Sequence, residues 1–170
     1  MEQLWSAADR QRCSVHRLRN ILAKLPKRDV ALHTRVRRAY WAALDEAADA
    51  VDGERRLRAL VSELAPDYPS AAACLADDLP ALVVHLRYPL RLRTRLRSTN
   101  LLERSLEEVK RRTKVIGRFP GETSCLSLCW SVLDLVVAGA RGLGLTAAER
   151  REIHELRVQR IHATAIERSA

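Results

Sequence analysis

Aromatic residues are scarce in this chain. Three Trp, three Tyr and one Phe account for 4% of its 170 residues. Ala, Leu and Arg dominate instead, a mix that suits helices better than strands. No Gly-rich stretch of the phosphate-cradling type is present, and no internal repeat or low-complexity segment interrupts the sequence. The four cysteines, Cys13, Cys74, Cys125 and Cys129, are spread thinly, which argues against a disulfide framework and for reduced thiols in a cytoplasm. The first fifteen residues are polar and lack the apolar core of a signal peptide. The most apolar run, Cys125 to Ala140, is broken by Ser127, Ser131 and Asp134 and is too short and polar to span a bilayer. Neither a Ser/His/Asp nor a Cys/His catalytic set can be assembled, and His33, His85, His154 and His162 form no constellation.

What is present is enough apolar material for a core, 47%, with 30% charged residues, in a length typical of one domain or one piece of a larger one. The formal net charge is +9, and its location matters more than its size. From Arg87 to Arg118 eleven Lys and Arg face only Glu103, Glu107 and Glu108, while the remainder is nearly balanced. A local field of that kind suits a polyanion, either nucleic acid or an anionic membrane surface; the plainer alternative is a solvated helix face.

Periodicity predicts a succession of helices. Leu18, Ile21, Leu22 and Leu25 form one stripe, stopped by Pro26. Asp29 caps a second helix carrying Val36, Tyr40, Ala43, Leu44, Ala47 and Val51, ending near Gly53. A third carries Leu57, Leu60, Val61 and Leu64 and stops before Pro66, after which Ala65 to Ser70 reads as a loop. Leu75, Leu79, Leu82, Val83 and Leu86 suggest one more helix with Pro80 near its start or at a break. The stretch from Gln11 to Val15 can be a short strand. Arg91 to Arg97, with period two, favours an extended segment or a basic linker over a frayed helix. Helices are further expected from Asn100 to about Arg112, then over 122–138, apolar on most sides and hence buried. Between them lies a turn rich in Gly and Pro. A loop over 140–145 precedes a last helix opened by a Thr146/Glu149 capping box.

Two short segments carry chemistry. Asn100-Leu-Leu-Glu103 fits a capping box, in which Glu103 reaches back to the N-cap amide. The same geometry places the carboxylate at a helix N-terminus, where anions collect and where a divalent cation held by carboxylate meets phosphate. A lone Glu is not such a site; it needs another carboxylate from elsewhere. Lys110, Arg111, Arg112 and Lys114 follow. Three consecutive helical residues fan over about 200°, so only some of them can face one partner. Cys13-Ser-Val-His16 has half the spacing of a zinc site, but no second ligand pair accompanies it, since Cys125 and Cys129 fall on an apolar helix.

The run "STNLLER…EVKRRTKVIGRFP" (98–120) resembles the C-terminal signature of Mutator-type transposases of bacterial insertion sequences. "QRCSVHRLRNILAKLPK" (11–27) is similar to the C-x-x-H segment of that family, through Cys13, His16, Arg19 and Asn20, and "GLTAAERREIHELR" (144–157) resembles one of its branches. The resemblance covers most of the chain. It implies a mainly α piece: the helical insertion and C-terminal helices of an RNase-H-like core, most of whose sheet is absent here. It divides the chain into a C-x-x-H segment (1–27), a helical insertion (28–97) and a Glu-bearing helix with C-terminal helices (98–170). It implies an Asp-Asp-Glu triad binding two divalent metals, Mg²⁺ or Mn²⁺, for strand cleavage by water and attack of the 3′-hydroxyl on target DNA.

Glu103 matches the third acid of that triad, within the motif of Ser98, Thr99 and Asn100. Arg104, Lys110, Arg111 and Arg112 match the basic part of the signature and, with Lys114, are expected to contact DNA phosphates, the alternative for the first four being to orient the carboxylate. Leu106 stands where the family often has Asn. Both Asp would lie upstream of Met1, and Asp9 is too close to Cys13 to stand in. The expectation is thus a transposase-family protein that binds transposon ends, incomplete and inactive alone, holding no metal stably and capable of self-association or of joining a full-length transposase. The alternative is a non-catalytic helical module that binds DNA or protein and modulates such a transposase.

Overall fold

The computed structural model describes residues 8–139 and 144–167. All regular structure among them is helical, so the chain is mainly α. Two compact units emerge: Met1–Ser98 with Leu145–Ala170, and Thr99–Gly144.

The first unit contains α1 (Ser14–Leu22), α2 (Val30–Asp45), α3 (Ala50–Leu64), α4 (Pro69–Ala76), α5 (Leu79–Leu82), a 3₁₀ turn (Val84–Arg87), α6 (Leu90–Leu96) and α9 (Ala147–Glu167). α2 packs on α1 and α3, and α4 packs on α1 and α3. Their apolar stripes converge on a core that includes Ile21, Tyr40, Leu57, Leu64, Leu75 and Leu82, all essentially inaccessible to water. The Asp29 carboxylate accepts from Leu32 N–H at 2.9 Å and so caps α2 as its spacing implies. The Thr146/Glu149 box also forms: Glu149 N–H donates to Thr146 Oγ1 (3.2 Å) and Thr146 N–H to Glu149 Oε2 (2.8 Å).

Four local expectations are corrected. The stretch expected as a strand near Cys13 instead leads into α1, with Cys13 as its N-cap. Arg91 to Arg97 is helix α6 and its C-cap, not a linker; Leu92 is buried, and Leu and Arg are strong helix formers. Gly53 does not end a helix but sits inside α3. A Cβ there would run into Leu86 Cδ1 and lie 3.4 Å from Ala47 Cβ and Val83 Cγ1, so the glycine permits close helix approach. The single helix expected around Pro80 is broken at Asp77 and Asp78, where Asp78 adopts a left-handed conformation (φ 64°).

The second unit is a pair of packed helices, α7 (Asn100–Thr113) and α8 (Glu122–Ala138), joined through the Gly- and Pro-containing turn. Only Val109 and Val132 are buried among its described residues. α8 has the predicted bounds but not the predicted burial. Leu126, Trp130 and Val137 are 60–72% exposed, and with Leu133 they follow i, i+4, i+7, i+11 spacing on the side away from Val132. The 140–143 part of the expected loop lies outside the described residues. No described helix is long and apolar enough to cross a membrane.

Candidate nucleic-acid interface

The Glu-bearing helix starts one residue earlier than the capping-box reading requires. Thr99, not Asn100, is the N-cap of α7, and its side chain makes no capping bond to the helix amides. Its hydroxyl donates instead to Glu103 Oε1 at 2.7 Å. Glu103 is therefore in the first turn, exposed and oriented from the N-cap. Asn100 is exposed, and Ser98 and Thr99 are half-buried.

Along α7 the buried side is set by Val109, flanked by half-buried Ser105 and Thr113. The opposite side presents Glu103, Glu107, Lys110 and Lys114 at i, i+4, i+7 and i+11 spacing, with Lys110 about 10 Å along the axis from Glu103. Arg111 and Arg112 differ from the two lysines. Both donate to Glu108: Arg111 with bonds of 2.8 and 2.7 Å, Arg112 with one of 2.7 Å. These bonds hold the Glu108 carboxyl at about 2, far below its ordinary range. Arg104, Lys110 and Lys114 are exposed, and no carboxylate among the described residues pairs with them. The five expected phosphate contacts thus divide into two arginines sharing one internal carboxylate and three cations open to a ligand.

In the first unit, Ser14 N–H donates to Arg97 C=O at 2.8 Å. That bond ties the C-x-x-H segment to the residue preceding Ser98-Thr99-Asn100. Arg97 is fixed further by an ion pair with Asp45 and by its guanidinium lying 4.5 Å from the Trp41 ring centroid. Tyr40 OH, its pKa raised by burial, donates to Ser14 C=O at 3.0 Å. Cys13 and His16 are half-buried, while Arg19 and Asn20 are exposed on the outward side of α1. Among the described residues no three His, Cys, Asp or Glu side chains gather as a metal ion requires. Glu103 offers one carboxylate, so these residues do not by themselves fit a two-metal centre.

Charged residues outside the recognised motifs are also engaged. Arg17, 3% exposed, donates to Cys74 C=O (2.5 Å) and Asp77 (3.0 Å). Burial opposes its charge, but those partners outweigh it and raise its pKa. Its place on the buried stripe of Ser14, Leu18 and Ile21 is the sequence signal for that role. Asp9 accepts from Tyr88 OH (3.3 Å) and pairs with Arg87 and Arg160 (3.5 Å each). Arg91 donates two bonds to Glu149, of 2.8 and 2.6 Å. Those bonds, with the Thr146 amide, hold the Glu149 carboxyl at about 2.

A model of the Mutator family of transposases matches residues 1–137. The chain is 29% identical over 146 residues to the transposase for insertion sequence element IS6120 of Mycolicibacterium smegmatis, covering 84% of this chain and 43% of that protein. It is 35% identical over 123 residues to the transposase for IS406 of Burkholderia multivorans, covering 72% and 31%. It is 33% identical over 125 residues to the transposase for IS256 in transposon Tn4001 of Staphylococcus aureus, again covering 72% and 31%. The chain spans less than half the length of these relatives. No solved structure matches it. With a family match over residues 1–137, most of its length, the chain belongs to the Mutator family of transposases.

Proposed function

We propose that the chain serves DNA transposition as the Glu-bearing portion of a transposase and contacts transposon-end DNA through the exposed face of α7. The observation that carries this reading is the stripe on which Glu103 stands with Lys110 and Lys114, two exposed cations that pair with no carboxylate among the described residues. Lysines so placed act as point charges for phosphate. Glu103 would supply one ligand to Mg²⁺ or Mn²⁺, with the other carboxylates coming from polypeptide beyond the described residues. Fluorescence anisotropy with duplex DNA at several salt concentrations tests the binding. Lys110→Gln/Lys114→Gln should weaken it and lower the salt slope by about 2; an unchanged slope would overturn the reading. The ligand role of Glu103 is tested by complementation. The preceding portion of a longer relative is supplied with transposon ends and divalent metal, and strand transfer should appear and be abolished by Glu103→Gln.

A second reading rests on α8. Its exposed stripe of Leu126, Trp130 and Val137 is the kind of surface a protein partner covers. In that reading the chain is a non-catalytic module that joins another copy or a longer transposase. DNA binding without any strand transfer in the complemented system, together with concentration-dependent association lost in Trp130→Ser, would favour it.

A further inference from the structure

The near-balance of charge outside Arg87–Arg118 is a cancellation between two segregated regions. Residues 10–40 carry ten Lys and Arg against the single acid Asp29. Residues 41–86 carry nine Asp and Glu against three Arg. The acidic region consumes its own cations: Asp52 pairs with Arg55 and Arg56, Glu54 with Arg58, and Glu46 with Arg56. The basic region does not do the same. Arg12, Arg17 and Arg35 reach Asp78, Asp77 and Glu63. Arg19, Lys24, Lys27 and Arg28 are exposed, and none has a carboxylate partner among the described residues.

These four cations sit on the outward side of α1 and on the connection from α1 to α2. That connection is not a loose loop. Lys24 N–H donates to Ile21 C=O (3.0 Å), Leu25 N–H to Leu22 C=O (3.1 Å) and Asp29 N–H to Pro26 C=O (3.1 Å). Leu25 is 4% exposed and belongs to the core. Lys27 and Arg28 are the two central residues of the turn closed by the Asp29–Pro26 bond, so the turn presents both side chains to solvent. The nearest acid in sequence, Asp29, is engaged with the Leu32 amide. The fold thus holds like charges together on an anchored turn with their counter-charges displaced to another region, an arrangement whose self-repulsion a polyanion relieves.

We infer that the α1–α2 corner, centred on Lys24, Lys27 and Arg28 and preceded on α1 by the exposed Arg19, is a second DNA-backbone contact surface, additional to α7. It takes phosphates of duplex DNA without reading sequence. The preference for DNA rests on the proposed function; the surface itself rests on the charge segregation and the anchored turn.

The test uses the full chain and a 30-base-pair duplex of arbitrary sequence, with binding followed by anisotropy from about 50 to 200 mM salt. Lys27→Gln/Arg28→Gln should lower the slope of log affinity against log salt by about 2 and weaken binding roughly tenfold or more near 0.1 M salt. Arg55→Gln/Arg58→Gln removes the same charge from cations that already have internal partners and should change the slope by much less. Helical circular dichroism confirms that both variants fold; if the first does not, Lys24→Gln/Lys27→Gln replaces it. A slope unchanged in the turn variant, or reduced equally in the α3 variant, overturns the inference. Lys110→Gln/Lys114→Gln, measured alongside, separates the two ideas. Loss there with none at the turn sinks this inference alone, and loss at the turn with none there sinks the α7 reading alone.

Discussion

The two units of this chain bury their apolar residues very differently. The first closes nineteen buried apolar side chains into one core, whereas only Val109 and Val132 are buried among the described residues of the second. Yet the second carries Glu103 and the cations matched to the family's basic signature. Where packing dominates, most substitutions should be read out as stability; where a surface dominates, they should be read out as binding or transfer. The largest effect expected is Leu57→Ala. Leu57 is fully buried, and such truncations cost about 2–5 kcal/mol. Val132→Ala removes less apolar area and should cost about 1–2 kcal/mol. Urea denaturation followed by circular dichroism measures both. The comparison breaks if the second substitution costs as much as the first. Hydrogen exchange adds a finer view, with α3 amides protected more strongly than those of α7 and α8.

Acid should act on the first unit next. His85 is 1% exposed, with its ring Nδ1 3.2 Å from Gln11 Oε1, which also accepts the His85 amide at 2.7 Å. Burial first, then the positive fields of Arg97 and Arg93, push its pKa down to about 4 against the Leu82 carbonyl and Asp45, which act the other way. The unfolded chain, with an ordinary value near 6.5, binds the proton more readily in that window. The stability associated with neutral His85 is therefore fully present above about pH 6.5 and is lost as pH falls toward 4, by up to about 3 kcal/mol. Stability profiles of the wild type and His85→Gln should diverge across this range. Parallel profiles would show that His85 does not set the acid response.

The same contrast explains what was legible in the sequence. The start of α2 and its stripe from Val36 to Leu44, the Leu57–Leu64 stripe of α3 and the Thr146/Glu149 cap follow from periodicity and capping chemistry, because there the local signals and the packing agree. The boundary between α2 and α3 does not, since α2 ends at Asp45 and Val51 lies exposed on α3. Arg91–Leu96 misleads because Leu and Arg alternate, while helical packing selects Leu92 for burial. Gly53 misleads because a glycine that ends a helix and one that admits a neighbouring side chain look alike until Leu86 is in place. α8 misleads because its composition cannot say which of its two apolar sides has a neighbour. In the candidate site, the Glu103 helix was legible to within one residue. The partition of cations between Glu108 and solvent was not, since it depends on rotamers. The basic α1–α2 corner was hidden in a total that cancels against the acidic α3 region.

A cap gives a middle-sized effect within the first unit. Asp29→Ala removes the acceptor of the Leu32 amide and should cost about 1 kcal/mol. Asp29→Asn, which keeps a side-chain acceptor, should restore most of it. Thermal melts of the two variants decide, and equal losses would mean that charge rather than the capping bond matters there. This test also bears on the basic corner: Asp29→Asn removes its nearby negative charge while retaining the cap, so DNA affinity should rise modestly if that corner meets phosphate.

The smallest effect on stability is expected at the residue with the largest proposed role. Glu103 is exposed, and its hydrogen bond from Thr99 Oγ1 needs only an acceptor. Gln supplies one, so Glu103→Gln should leave the melting temperature nearly unchanged, with a free-energy change within about 0.5 kcal/mol. The substitution nevertheless removes the charge a divalent cation requires, so strand transfer in the complemented system should be abolished while DNA binding through Lys110 and Lys114 persists. A variant that loses stability instead would make Glu103 a structural residue after all. Transfer that survives the substitution would deny it the role of ligand. Unchanged folding together with lost transfer would place function on an exposed carboxylate in the less buried unit.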